Sequence, residues 1–323
     1  MSELHSFIFE GLPVRGQIVR LTDGWQELLA RRAASATGAW PIPVRSLLGE
    51  MAAASVLMQS SIKFNGALIL QIQGDGPVKL AVAEAQPELG FRATAKVVGE
   101  IDAHAHLTDL VNAGGVGRCA ITLDPRERRP GRQAYQGVVP LNDADGQPLD
   151  SLSRMLEHYM RQSEQLETVL VLAADDQVAA GLLIQRMPVQ GENNLQGQLR
   201  DAEALTEDYN RIATLAASLK ADELLSLDTE TILRRLFWEE RLLRFEPREG
   251  ADAPRFACGC SRERVANMLR GLGREEIDGI VAERGDVEVG CDFCGKAQRF
   301  DAIDVAQLFA DPKDASPGSA SVQ

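Results

Sequence analysis

"PVRSLLGEMAAASVLMQSSIKF", residues 43–64, followed almost at once by "ALILQIQGDGPVKLAVAE", residues 67–84, decides the fold class. The first stretch is rich in Ala, Leu and Met, with Pro43 near the first turn, where a missing N–H costs nothing. It is apolar nearly all round, which predicts a helix buried between layers. The pattern then changes period: 67–73 and 78–84 read as two strands joined by the turn "GDGP" at 74–77, a β-hairpin. Outward from there, 17–20, 90–97, 117–123, 134–141, 168–174 and 177–187 read as strands, the last two flanking a turn at Asp175–Asp176. Residues 23–33 read as a helix capped by Asp23, and about 150–165 as another. Strand runs with segregated helices indicate α+β rather than a regular βαβ alternation.

The 323 residues carry a net charge of −13 and 45% hydrophobic residues, with only 5% aromatics. The cores must therefore be built mainly from Leu, Val, Ile, Ala and Met. An acidic chain is repelled by nucleic acid and by anionic membranes unless basic residues cluster locally. The densest cluster, "DPRERRPGR" at 124–132, is broken by Pro and Gly and reads as a solvated turn. No membrane span is expected, because no stretch approaches about 18 consecutive apolar residues. The N-terminus lacks the basic start and long apolar run of a signal peptide, so a cytoplasmic location is expected.

The texture changes after Pro188, where "PVQGENNLQGQ" reads as a polar linker. Leu205, Tyr209, Ile212, Ala216 and Leu219 share one helical face. Residues 221–250 hold 13 charged residues among 30, interleaved with Phe237, Trp238 and Phe245. Their apolar stripe needs a partner but offers little hydrophobic mass. The expected organisation is an N-terminal α+β domain over 1–188, a charged helical linker over 189–250, a small four-cysteine domain over 251–310 and a disordered tail over 311–323.

Four of the five cysteines fall into two close pairs, Cys258-Gly-Cys260 and Cys291-Asp-Phe-Cys294, thirty residues apart. Two short chelating turns supply the four soft tetrahedral ligands that zinc prefers, and four thiolates without histidine fit a closed, non-hydrolytic site. Gly259, Gly290 and Gly295 bracket the ligands and let the chain turn tightly. Cytosolic thiols are kept reduced, so such pairs read as metal-binding or redox-active rather than as permanent disulfides. A unit of about 55 residues is too small to be secure alone, so loss of the metal should melt it. The same pairs can also become disulfides, because a ligating thiolate is the form oxidants attack and each has a neighbour to resolve a sulfenic acid.

At "FACGCSRERV" (256–265) the sequence closely resembles the redox-regulated 33-kilodalton heat-shock chaperone family. The likeness extends to "LQIQGDGPV" (70–78), "YQGVVPL" (135–141), "HYMRQSEQLETVLVLA" (158–173), "GLLIQRMP" (181–188) and "ILRRLFWEERLLRFEP" (232–247), in family order. The resemblance implies an N-terminal chaperone core, a metastable helical linker and a C-terminal redox-switch domain. It implies one zinc ion per chain in the reduced state, held by Cys258, Cys260, Cys291 and Cys294. It further implies that the reduced form is inactive, and that oxidation pairs Cys258 with Cys260 and Cys291 with Cys294. Zinc is then released, the linker unfolds, and an oxidised homodimer holds unfolding client proteins without ATP. The chain departs from the family pattern at "GKAQRFD", where Gln298 and Arg299 precede Phe300.

Two other classes compete. A zinc module that binds nucleic acid should be basic, but residues 258–300 hold seven Lys/Arg against eight Asp/Glu. An enzyme would need a catalytic constellation, and none emerges, so no catalytic residue is expected. "DAHAHLTD" (102–109) offers His104 and His106, yet only His5 and His158 lie elsewhere, so it reads as a loop or a helix start. Cys119 reads as a small buried hydrophobe, and Trp25 and Trp238 as packing.

Overall fold

The computed structural model describes residues 1–127, 134–188 and 202–310. The polar stretch around 189–200 and the tail 311–323 lie outside the described residues. Two sheets and a helix between them form the body. One sheet has five antiparallel strands in the order β10-β1-β2-β9-β8, from β1 (Glu3–Phe9), β2 (Val14–Leu21), β8 (Thr168–Ala174), β9 (Ala179–Arg186) and β10 (Leu242–Arg244). The other runs β11-β5-β4-β3-β6-β7, from β3 (Gly66–Gln73), β4 (Val78–Ala85), β5 (Gly90–Val97), β6 (Arg118–Pro125), β7 (Tyr135–Pro140) and β11 (Arg255–Phe256). Its pairings are antiparallel except for β11, which lies parallel to β5. The α+β reading holds.

Two helices precede the hairpin, α1 (Asp23–Ala33) and α2 (Ile42–Ser61). Asp23 is the first helical residue of α1, and Thr22 stands at its N-cap without a side-chain cap bond, so Asp23 is not the cap. Helix α2 packs against strands of both sheets, and residues on every side of it are buried, from Val44 and Leu48 to Val56 and Leu57. Close approach is what Gly49 provides: a Cβ there would sit 2.4 Å from the Cβ of Ala174. Short α3 (Leu107–Val111) begins just after His106, whose backbone N–H donates to Asp109, so the His-x-His pair precedes a helix start. Helix α4 (Leu152–Ser163) is capped by Ser151. It turns Leu152, Met155, Leu156 and Tyr159 into the main core.

Past the undescribed stretch, α5 (Ala202–Ala217), α6 (Ala221–Ser226) and α7 (Thr229–Phe237) cover the outer face of the five-stranded sheet. Tyr209, Ile212, Ala216 and Leu219 are buried, as their spacing predicts. They meet Leu224, Ile232, Leu233, Leu236 and Phe237, together with Phe7, Phe9, Ile18 and Leu182 of the sheet. Phe9 and Phe237 pack edge to face with ring centres 5.1 Å apart. Arg20 of β2 donates to the carbonyls of Leu224 (2.6 Å) and Leu227 (2.8 Å), satisfying the end of α6. The segment therefore has more hydrophobic mass behind it than its charge suggests. Trp238 is the exception to the packing expectation: it follows the apolar stripe of α7 and is 74% exposed.

The C-terminal module holds α8 (Arg262–Leu272), α9 (Arg274–Arg284), the hairpin β12 (Asp286–Gly290) with β13 (Ala297–Asp301), and α10 (Ala302–Leu308). Among the described residues its fully buried apolar core is six side chains, Leu269, Ile277, Val287, Phe300, Val305 and Leu308. Phe300, the residue after the departure at Gln298 and Arg299, is one of them.

Candidate metal centre

Each cysteine pair is delivered by a different piece of local structure. Cys258 and Cys260 follow β11, and Ala257 N–H donates to the Phe91 carbonyl at 2.9 Å, so β5 sets where the first pair begins. Cys291 and Cys294 occupy the turn of the β12–β13 hairpin. There Cys291 N–H donates to the Lys296 carbonyl (3.0 Å) and Gly295 N–H to the Cys291 carbonyl (2.8 Å). Gly295 has φ +69°, the left-handed conformation that favours glycine. Gly259 and Gly290 have no such backbone, so the turn depends on one of the three glycines.

All four Sγ atoms lie within 4.8 Å of one another. Cys258 Sγ and Cys291 Sγ are 3.6 Å apart, and Cys260 Sγ and Cys294 Sγ 3.2 Å. A tetrahedron of sulfurs about 2.3 Å from a zinc ion has edges of about 3.8 Å. The donor set fits: four soft sulfurs, already converged, with no open position and no competing carboxylate in the cluster. These residues could hold a metal ion. Burial pushes the Cys258 thiol up, but hydrogen bonds from Cys260 N–H and the neighbouring sulfurs outweigh it and leave Cys258 below its ordinary range. Burial pushes Cys260 and Cys291 up. Metal binding would displace the protons that the thiols carry.

The arginines of "SRERV" do more than face solvent. Ser261 accepts from Arg264 N–H (3.2 Å) and caps α8, while Arg264 Nη1 donates to the Gly259 carbonyl (2.9 Å) between the first two ligands. Arg262 pairs with Asp304 (2.7 Å), donates to the Arg299 carbonyl (2.6 Å) and lies over the Phe300 ring (4.1 Å). A second layer joins the ligand turns to the body. Arg92 of β5 stacks over Phe293 (4.1 Å) and is held by Glu84 of β4. Thr94 Oγ1 donates to the Asp292 carbonyl at 2.7 Å. Sequence reasoning missed Arg92 and Thr94, since nothing local ties residues 200 positions apart.

The remaining candidates are elsewhere. Cys119 lies on β6, 1% exposed, and burial pushes its thiol up to about 12. His104 and His106 line a pocket with Glu50 and Asp150 and form no metal-ligand cluster. No helix among the described residues is long and apolar enough to cross a membrane.

A two-sheet α+β body carrying a compact module with four convergent thiols defines the class: a protein with a tetrathiolate metal-type centre seated against its main sheet. The chain belongs to the Hsp33 protein family, whose model matches residues 2–301. It is 44% identical to the 33 kDa chaperonin of Chromobacterium violaceum over 307 residues, covering 95% of this chain and 93% of that one. It is 41% identical to the 33 kDa chaperonin of Neisseria meningitidis serogroup A, covering 94% and 90%. The crystal structure of the 33 kDa chaperonin from Thermotoga maritima superposes with a TM-score of 0.74 over 95% of this chain and 97% of that one, at 20% identity, a likeness of fold.

Proposed function

We propose that the protein is a redox-regulated, ATP-independent holdase of the cytoplasm that binds unfolding proteins under oxidative stress. The observation that carries this reading is the convergence of two sequence-adjacent thiol pairs in one cluster of span 4.8 Å, on a module whose own core is only six side chains. When bound, zinc would cross-link the two turns and keep Cys258, Cys260, Cys291 and Cys294 as thiolates. One ion per chain is expected in the reduced, inactive form.

Oxidation pairs Cys258 with Cys260 and Cys291 with Cys294. Forming each disulfide from two thiolates gives up two electrons. Two peroxide molecules thus take up four electrons and four protons from solvent to become four waters, and all four metal donors are consumed as zinc leaves. The module loses its cross-link, and the cover formed by α5, α6 and α7 is released from the five-stranded sheet. Clients bind the surfaces so exposed, and the oxidised chain dimerises. The division into 1–188, 189–250, 251–310 and 311–323 belongs to this reading, as does a non-enzymatic role without nucleic-acid or membrane partners. Support comes from the family membership, from the six-residue core and from Arg92, which ties the ligand turns to β5.

The test is aggregation of a heat-unfolded client, followed by light scattering, with reduced or peroxide-treated protein while a chromogenic chelator reports zinc. Protection and zinc loss rise together on oxidation. Protection by the reduced, zinc-loaded protein at the same level would refute the reading.

A further inference from the structure

A cavity lies between the sheets, and none of the four clustered cysteines lines it. This cavity, of about 100 Å³, opens between α2, α4 and strands of both sheets, walled by Met58, Leu68, Ile121, Leu123, Met160 and Leu166. Three of the stretches that carry the family resemblance, "YQGVVPL", "HYMRQSEQLETVLVLA" and "GLLIQRMP", meet here through Tyr135, Tyr159 and Gln185. The metal centre uses none of them.

The one cation lining this apolar cavity is Arg15. Its Nε donates to Gln185 Oε1 (3.0 Å), its Nη2 to the same oxygen, and its Nη1 to the Ser61 carbonyl (2.7 Å). These are neutral acceptors, and among the described residues no carboxylate lies within ion-pair distance of Arg15. A guanidinium has five N–H groups, so one remains on each terminal nitrogen. The acid in the same wall, Glu164, is occupied: its Oε1 accepts from Tyr135 OH (3.0 Å) and Tyr159 OH (2.7 Å). Burial lowers the Arg15 pKa from its ordinary value, the mark of a cation without compensating charge, though arginine stays protonated.

We propose that this cavity binds a small amphipathic monocarboxylate, its apolar tail among Met58, Leu68, Ile121 and Met160 and its carboxylate on Arg15. A single half-buried guanidinium calls for one negative charge, and it matches a carboxylate geometrically as well as electrically. Glu164 on the same wall repels a dianion about twice as strongly as a monoanion, which disfavours phosphate esters. The volume is about two thirds of that of an engineered cavity that takes up benzene, enough for a branched tail of about four carbons. Two sources share this chemistry, a free branched short-chain acid and the C-terminal residue of a polypeptide ending in leucine.

The experiment uses the full-length reduced, zinc-loaded chain with labelled Met and Ile methyl groups. It is titrated with isovalerate, with its neutral analogue 3-methyl-1-butanol, with N-acetyl-leucine and with N-acetyl-leucinamide. Methyl signals of Met58, Ile62, Ile121 and Met160 shift with the acids, and the neutral analogues bind at least about tenfold more weakly, as loss of a charge-assisted contact requires. R15Q brings the acids down to the level of the neutral compounds. L166W, which fills the mouth and spares Arg15, abolishes binding of all four. Tighter binding of N-acetyl-leucine than of isovalerate identifies a chain terminus as the ligand, and the reverse a free acid. Equal affinity for acids and neutral analogues, an unchanged affinity in R15Q, or no shift with any probe would overturn the proposal.

Discussion

The guanidinium of Arg92 lies 4.1 Å from the centre of the Phe293 ring, and Phe293 stands between Cys291 and Cys294 of the four-thiol cluster. A residue of the main sheet therefore grips the turn that delivers half of the clustered thiols. Glu84, 8% exposed, pairs with the same arginine from the neighbouring strand. Arg92→Ala loses the stack and strands a buried carboxylate, a cost of about 2–3 kcal/mol. Zinc release by a fixed peroxide dose should then be several-fold faster than in the parent, measured with a chromogenic chelator. An unchanged rate would separate the stack from the centre.

Gly295 gives the second ligand turn its shape. At φ +69° an added Cβ is strained and would meet Ser35 Cβ at 3.1 Å. Gly295→Ala should cost about 1–2 kcal/mol, or about tenfold in zinc affinity by chelator competition. Gly290→Ala, at a position with open space, is the control and should leave affinity unchanged.

Metal removal should unfold one part of the chain and spare the rest. With six buried apolar side chains the module has little to replace a contribution of about 10 kcal/mol from a structural zinc. Hydrogen exchange on chelator-treated protein should lose protection over α8 and α9 and keep it over β3, β4 and β5. Retained protection in α8 and α9 would show that the core suffices.

Glu50 of α2 is partly buried, in a pocket also lined by His104, His106 and Asp150, and burial pushes its pKa up to about 8. The folded state holds this proton above the unfolded value of 4.5. Between those values the folded chain binds more protons, so this group's contribution falls as pH rises from 4.5 towards 8 and levels off beyond. Thermal melts of Glu50→Gln should show a smaller loss of Tm from pH 5 to pH 8 than the parent. Parallel pH profiles would mean that the carboxyl is ionised throughout.

Cys119 has its thiol raised to about 12 in the main core, which leaves almost no thiolate at neutral pH. Cys119→Ala should release zinc under peroxide with the parent's dose dependence. A shifted dose response would give this thiol a part in sensing.

Much of this was legible because it is local. The all-round apolar run of α2, the period-two hairpin of β3 and β4, and the thiol spacing each follow from neighbouring residues. Strands β10 and β11, of three and two residues, carry no periodicity and exist through pairing with β1 and β5. In sequence, helices α5, α6 and α7 are short of hydrophobic mass because their partner face, Phe7 and Phe9 of β1, lies roughly 200 residues away. The same nonlocality hid Arg92, Thr94 and the cavity at Arg15, each assembled from segments far apart in the chain.

In the proposed function, the state of four cysteines controls the cover that α5, α6 and α7 place on the five-stranded sheet. Residue-resolved hydrogen exchange before and after peroxide, on protein whose zinc and disulfides are counted in the same sample, tests it most directly. Protection should be lost across 205–237 in the zinc-free, doubly oxidised chain, with β3, β4 and β5 still protected. Full protection of α5, α6 and α7 in oxidised, zinc-free protein that already suppresses client aggregation would contradict it.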